Sequence, residues 1–365
     1  MTDLYGSKSP VFKIDGEVRG ELARDLSLLE IEEATDGLKT LMLRLLSVAP
    51  KDGAPVEPQL YLDGQIVDFG KAIDVSIGPG DAARTIFKGT ISAIDVLFEE
   101  GGPVPHVTIF AEDALMNLRM TRRMKTWENV TDADIASQIA SENGLTADTS
   151  APGPTYKVVQ QWNQSDLAFL RERARLIQAE VWFANDTLCF KTRGNRSAPS
   201  MTLIQGGDLR HVQVRADLAH QRTRVTTSGY DASARDTINE DAGGDAIQAE
   251  IAGGRTGPAV LQQALGERVS YRVRENPIVA GEAAAWAKAE MLRRCRSFVT
   301  ASGTTHGTAD MVVGSKLNLD QVGAPFSGDG YYVTRVSHTY DLSSGHRTHF
   351  EAERATINDA SGGAP

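Results

Sequence analysis

The residues best suited by type to do chemistry stand together near the C-terminus, in YYVTRVSHTYDLSSGHRTHFEAER, Tyr331 to Arg354. His338, His349 and Glu351 offer the donor set of a zinc site, which needs three or four ligands converging at about 2 Å. Whether they converge depends on the turn between them. A turn centred on Ser343-Ser344 sets His338 opposite His349 with Glu351 nearby. One centred on Ser344-Gly345 sets His338 against Glu351 and parts the two histidines. Two histidines fall short of the ligand count that a metal motif carries, so the expectation is histidines on a strand and no metal site. Glu99-Glu100 could be read as paired glycosidase acids. They fall in a turn beside glycines, and solvated carboxylates are the expectation there. The sequence holds no phosphate loop, dinucleotide glycine fingerprint, Gly-x-Ser-x-Gly elbow or His-Glu-x-x-His. No catalytic, cofactor-binding or metal residue is nominated, and no cofactor is expected.

The histidine hairpin has an earlier counterpart, IFKGTISAIDVLFEEGGPVPHVTIFAED, Ile86 to Asp113. Both stretches begin on an apolar strand with a β-branched residue before serine, Ile91-Ser92 and Val336-Ser337. Both break at a glycine-containing turn and return through His-x-Thr-x-Phe, as His106, Thr108, Phe110 and as His346, Thr348, Phe350. An internal repeat constrains architecture more than any single motif does. It predicts two similar β units.

The remaining chain fits around them. Residues 10–112 read as strands at Pro10 to Ile14, Leu22 to Glu33, Lys71 to Ile77 and the hairpin, with Gly101-Gly102-Pro103 as its turn. Leu38 to Val48 reads equally as a strand or a buried helix. Thr131 and Asp134 form a capping box, opening a helix with Ile135, Ile139 and Ala140 on one face and Gly144 at its end. Ser165-Asp166 caps a second helix, whose stripe of Leu167, Leu170, Ala174 and Ile177 faces a core while its arginines face water. A hairpin turning at Asn185-Asp186 follows. Strands resume at His211 to Ala216 and Arg222 to Tyr230, and the Gly-, Ala- and Asp-rich residues 231–258 read as a mobile loop. Helices at Pro258 to Leu265 and Glu282 to Arg296 flank a strand at Glu267 to Arg274. Strands at Phe298 to Thr305 and Met311 to Leu319 lead into the second hairpin, and the tail from Asn358 reads as disordered.

The expected fold is α+β, mainly β, with two homologous antiparallel β-barrel-like domains, a small α/β domain between them and a helical insertion in the second barrel. The boundaries are 1–112 for the first barrel, 113–200 for the α/β domain, 201–232 plus 297–356 for the second barrel, 233–296 for the insertion and 357–365 for the tail.

Composition narrows the function. In 365 residues, 24% charged and 41% hydrophobic, there is ordinary globular material for two or three domains. A net charge of −10 argues against binding nucleic acid by neutralising phosphates. Cys189 and Cys295 are too few for a disulfide framework. The N-terminal residues show no signal peptide, and no apolar run reaches the ~20 residues of a membrane span. A protein made in the bacterial cytoplasm, without a membrane partner, is expected.

The run Trp162-Asn163-Gln164-Ser165-Asp166-Leu167-Ala168-Phe169-Leu170-Arg171-Glu172-Arg173-Ala174, followed by a hairpin ending Thr187-Leu188-Cys189-Phe190, resembles the central signature of the phage late control D proteins. The valine-glycine repeat (VgrG) spikes of type VI secretion share that module. Arg296-Ser297-Phe298-Val299, Val313-Gly314-Ser315, Phe326-Ser327-Gly328 and Tyr331-Tyr332-Val333 agree in order and spacing. The resemblance spans about Pro10 to Arg354 and implies a non-enzymatic baseplate hub of a contractile tail or injection system. It further implies a homotrimer whose two barrels per chain match a sixfold inner tube protein. The other implied partners are a separate spike protein, further baseplate components and cargo translocated through the lumen, with no sequence-specific nucleic acid. Thr126 to Leu145 resembles a peptidoglycan-binding LysM helix, which implies carbohydrate binding; the alternative expectation for the whole chain is a tail-associated peptidoglycan-binding or hydrolysing protein.

Overall fold

In Thr40–Leu46 buried Leu41, Leu43 and Leu45 alternate with partly exposed Thr40, Met42 and Arg44. A period of two belongs to a half-buried strand, and it settles the ambiguous Leu38 to Val48 stretch. The structure, a computed structural model, describes residues 9–49, 57–58, 60–78, 83–98, 104–273 and 276–359. The turn expected at Gly101-Gly102-Pro103, the acids Glu99-Glu100, Arg274 and the tail from residue 360 lie outside the described residues.

The fold is mainly β, and one 13-stranded sheet carries most of it. Its middle is the antiparallel pair Leu26–Ala34 and Thr40–Leu46. On one side the pair continues into the first hairpin, His106–Glu112 with Arg84–Leu97, and then Ala72–Ile77 and Val11–Ile14. On the other side Leu26–Ala34 pairs with Gly328–Asp341, the outgoing strand of the second hairpin. Gly345–Arg354, Val299–Thr305 and Leu209–Ala216 complete that half. Lys316–Asp320 branches off Gly328–Asp341 and pairs in parallel with Ser200–Ile204. The seam between the halves is antiparallel, running from Ala34 opposite Arg335 to Leu28 opposite Asp341.

Although the sheet is continuous, its halves bury separate cores. One gathers Phe12, Leu29, Leu43, Val75, Phe87 and Ile109. The other gathers Phe298, Met311, Leu317, Tyr331, Val336 and Phe350. We refer to them as the first and second β units. The start of the first departs from expectation, since Leu22 sits in a short helix, Gly20–Arg24, ahead of the strand.

Between the β units, a third core packs the helices Asp132–Glu142 and Asp166–Ile177 over the hairpin Ala179–Ala184 and Thr187–Thr192. Both caps form as read. Thr131 and Asp134 make the reciprocal box, and the Ser165 hydroxyl accepts from the Ala168 amide. The hairpin turns through Asn185 and Asp186 at φ 50° and 58°, the left-handed conformation that such short-chain residues tolerate. One expectation fails here: Arg173 does not face water. It is buried, donating to the buried Asp132 at 2.5 Å and lying over the Tyr156 ring.

A second correction concerns residues 231–258. They hold the strand Asp236–Gly243 and a 3-10 turn, Gly244–Glu250. The strand Arg224–Asp231 pairs with Asp236–Gly243 and Val269–Arg272, and the helix Ala280–Arg296 contributes Met291 and Cys295 to a small core against Val225 and Ile247. Polar alternation hid the hairpin, because its edge strand buries only Ile238 deeply. A third correction is at the C-terminus, where Asn358 is anchored by Arg354 and by the Ala324 and Ser327 carbonyls.

Candidate functional site

The second hairpin takes neither of the two registers considered from sequence. Asp341 pairs with Gly345, so the loop has three residues and His338 lies opposite Thr348. The cause is local. Asp341 Oδ1 accepts from the Ser343 and Ser344 amides, and Gly345 adopts φ 65°. Ser337, not His338, then pairs with His349.

Side chains alternate across a strand, so this register sends the three proposed metal donors to opposite faces. His338 points inward and is buried. Its Nε2 donates to the Met311 carbonyl at 3.1 Å, which leaves Nδ1 as an acceptor facing His346 Nε2 at 3.3 Å and the Thr348 hydroxyl at 3.1 Å. His349 and Glu351 point outward. His349 meets the Thr304 hydroxyl at 2.9 Å and the Thr339 hydroxyl at 3.3 Å. Among the described residues no cluster of three such donors forms a metal site.

The same parity separates the two copies of His-x-Thr-x-Phe. In the first hairpin the interleaved Val107, Ile109 and Ala111 fill the core, and Phe110 is exposed. In the second, His346, Thr348 and Phe350 are themselves buried. Phe110 lies across from Ala93 and Phe350 across from Val336, so Ile91-Ser92 and Val336-Ser337 are not equivalent either. A signal was present in the sequence: the interleaved residues of the second copy, Arg347, His349 and Glu351, are polar.

The outward face of the central strands forms a shallow depression of about 530 Å³, lined by Glu30, Glu32, Ser302, Arg335, His349 and Glu351 among others. Arg335 contacts both carboxylate oxygens of Glu32, at 2.9 and 3.0 Å, leaving Glu30 and Glu351 as the acidic excess. Hydroxyls, carboxylates, the imidazoles of His211 and His349 and one guanidinium line this open face, a polar surface suited to contact. A larger cleft, about 1020 Å³, separates the second β unit from the 247–254 segment of the insertion. Two of its cations are already matched, Arg296 by Glu250 at 2.6 Å and Arg193 by Glu353 at 2.5 Å.

Sequence reading missed the junction that ties the units together. Glu33 and Lys39 come from the first β unit, Glu180, Arg193 and Arg196 from the α/β unit, and Tyr332 and Glu353 from the second β unit. Arg196 bridges Glu33 at 2.5 Å and Glu180 at 3.2 Å, and Arg193 bridges Glu180 at 3.4 Å. Tyr332 donates to Glu180 at 2.7 Å, and Lys39 sits 2.9 Å from Glu33. Burial works against the Arg193 cation, yet Glu353 and Glu180 outweigh it and raise its pKa. Burial and Glu180 also push the Tyr332 phenol well above its usual range, so it stays a donor. The guanidiniums of Arg193 and Arg196 stack on Tyr332 and Trp182. Charges this buried are costly unless every partner is in place, so the junction holds the units in one arrangement.

The fold is similar to that of several solved phage tail proteins. It is similar to the 43 kDa tail protein of prophage MuSo2 from Shewanella oneidensis at 14% identity and TM-score 0.70, covering 96% of this chain and 99% of that one. A tail protein from Neisseria meningitidis gives 13% identity and TM-score 0.63, covering 96% and 97%. An E. coli protein described as a type VI secretion component with structural similarity to T4 tail proteins gives 14% and 0.52, covering 90% and 73%. At such identities the likeness is one of fold. Among curated proteins no sequence matches the chain. Residues 49–341, more than half of the chain, match the family described as the Alg8 N-terminal domain, and the chain belongs to that family.

Proposed function

We propose that this chain is a structural hub subunit of a contractile tail or injection system. Three copies form a ring that adapts a sixfold inner tube to a threefold spike, with cargo passing through the lumen. The observation that carries this reading is the pair of β units, each with its own core, joined edge to edge in a single sheet. Three chains offer a sixfold partner six surfaces only if each supplies two, and a closed ring covers strand edges that would otherwise invite aggregation. Fold likeness to tail proteins over nearly the whole chain supports it.

The kinship to late control D and VgrG proteins, the homology of the two units and their reading as barrels belong to this proposal. So do the domain limits, with the strand Arg224–Asp231 assigned to the insertion because it pairs there. The reading is non-enzymatic, and zymography on peptidoglycan tests that part: a cleared band would favour the hydrolase alternative. Light scattering tests the ring. The expected result is a mass of three copies, alone or once the tube protein is added, and a monomer under both conditions would defeat the proposal.

A further inference from the structure

Residues 306–315 run from Val299–Thr305 to Lys316–Asp320 and cross from the second β unit to the first. Ala309 packs against the core of the first unit, Met311 is fully buried in the second, and Asp310 pairs with Arg84 of the first hairpin at 2.9 Å. The segment is tied to the second hairpin twice. The Thr308 amide donates to the Thr348 hydroxyl at 2.8 Å, and His338 Nε2 donates to the Met311 carbonyl at 3.1 Å. Beneath it lies a void of about 40 Å³, walled by Ile31, Glu33 and Lys39 of the first unit and by Val336 and His338 of the second. That is room for about one water.

We infer that residues 306–315 form an acid-released strap over the seam between the two β units, with His338 as its proton-sensitive anchor. Protonation would keep the bond to Met311 but set a buried positive charge, with a second N–H, beside His346 and Lys39, so the closed strap holds His338 neutral. Its Nε2–H is committed to Met311, so an added proton must go on Nδ1, which faces His346 Nε2 and the Thr348 hydroxyl. The charged groups around it are His346 on the return strand, Lys39 with Glu33 on the central pair, and Arg84 with Asp310 at the rim. Burial, then His346 and Lys39, disfavour the cation and push His338 down to about 3. Lifting the strap exposes the ring to water and restores an ordinary histidine pKa of about 6.5. Between those values the open state binds a proton that the closed state does not. Each pH unit of acidification therefore favours opening by about tenfold.

Amide hydrogen exchange on the full-length chain, corrected for the intrinsic pH dependence of exchange, reads this directly. In the wild type, protection of residues 306–315 should fall about 100-fold between pH 6.5 and 4.5. In His338→Gln the fall should nearly vanish, while His349→Gln on the outer face keeps it. An unchanged slope in His338→Gln overturns the inference. So does an equal loss of protection in the helix Asp132–Glu142, which packs in a separate core, because that would mean global unfolding. Should His338→Gln fail to fold, imidazole NMR of the wild type decides. A His338 ring that stays neutral in the closed protein to about pH 4 supports the strap. One titrating near 6.5 with the strap still protected overturns it.

Discussion

Glu180 is the residue on which the inter-unit junction turns, because it alone touches Arg193, Arg196 and Tyr332. Glu180→Ala leaves Arg193 with Glu353, Arg196 with Glu33 and the Tyr332 phenol without its acceptor, and leaving buried donors short of a partner in this way costs about 1–3 kcal/mol. Glu180→Gln keeps the shape and one acceptor and should cost less. Denaturant unfolding checks both, and a loss below about 1 kcal/mol for the alanine variant would show that the network is dispensable. The buried His338 makes a second prediction. Its folded pKa, about 3, lies below the unfolded one, so the stability its neutral burial allows is complete above about pH 6.5. Below that, stability falls by up to about 1.4 kcal/mol per pH unit until the folded pKa is reached. His338→Gln should flatten that limb of a stability-against-pH curve, and an unaltered limb would assign it to other groups. None of this was legible from sequence. Glu180 meets Tyr332 across 152 positions, and Arg173 meets Asp132 across 41, so nothing local marks either pair.

At the scale of elements, what the chain decides locally was legible. Thr131 with Asp134, Ser165, and Asn185-Asp186 all act within a few residues of themselves, and all took their expected places. Thr131→Ala and Ser165→Ala should each cost about 1 kcal/mol, the usual value of a lost helix cap. They cap different helices, so the double variant should come close to the sum in denaturant titrations, unless coupling through the shared core makes it depart by more than about 0.5 kcal/mol. The second hairpin was misread for a physical reason of the same local kind. Glycine and serine were weighed as the turn, whereas the Asp341 carboxylate organises it by capping two amides ahead of it. A shift of one residue was enough to send His338 and His349 to opposite faces. The repeat was misread because a spacing of two gives a face but not which face is inside. The neighbours decide that, apolar Val107 and Ile109 in one hairpin and polar Arg347 and His349 in the other.

For the whole molecule, the question is whether charge is spread evenly or gathered where a channel would need it. The chain carries −10, and the outward face of the central strands holds Glu30, Glu32 and Glu351 against Arg335 alone within its depression. In a ring that turns this face to the lumen, the fields of three copies add, and a concave wall focuses them so that acidic cargo or DNA does not adhere. The effect of place can be separated from that of total charge. Glu30→Lys, Glu32→Lys and Glu351→Lys together change the charge by six, from −10 to −4. The exposed, scattered set Glu128→Lys, Asp186→Lys and Asp236→Lys gives the same −4. Filter binding to DNA at low salt should show retention by the first variant only, lost as salt rises, because several phosphates are then met on one surface. Equal retention by both variants would mean that total charge alone matters and that this face has no special part in repelling cargo. Retention confined to the sheet variant would mark the face as the surface along which charged cargo is discriminated.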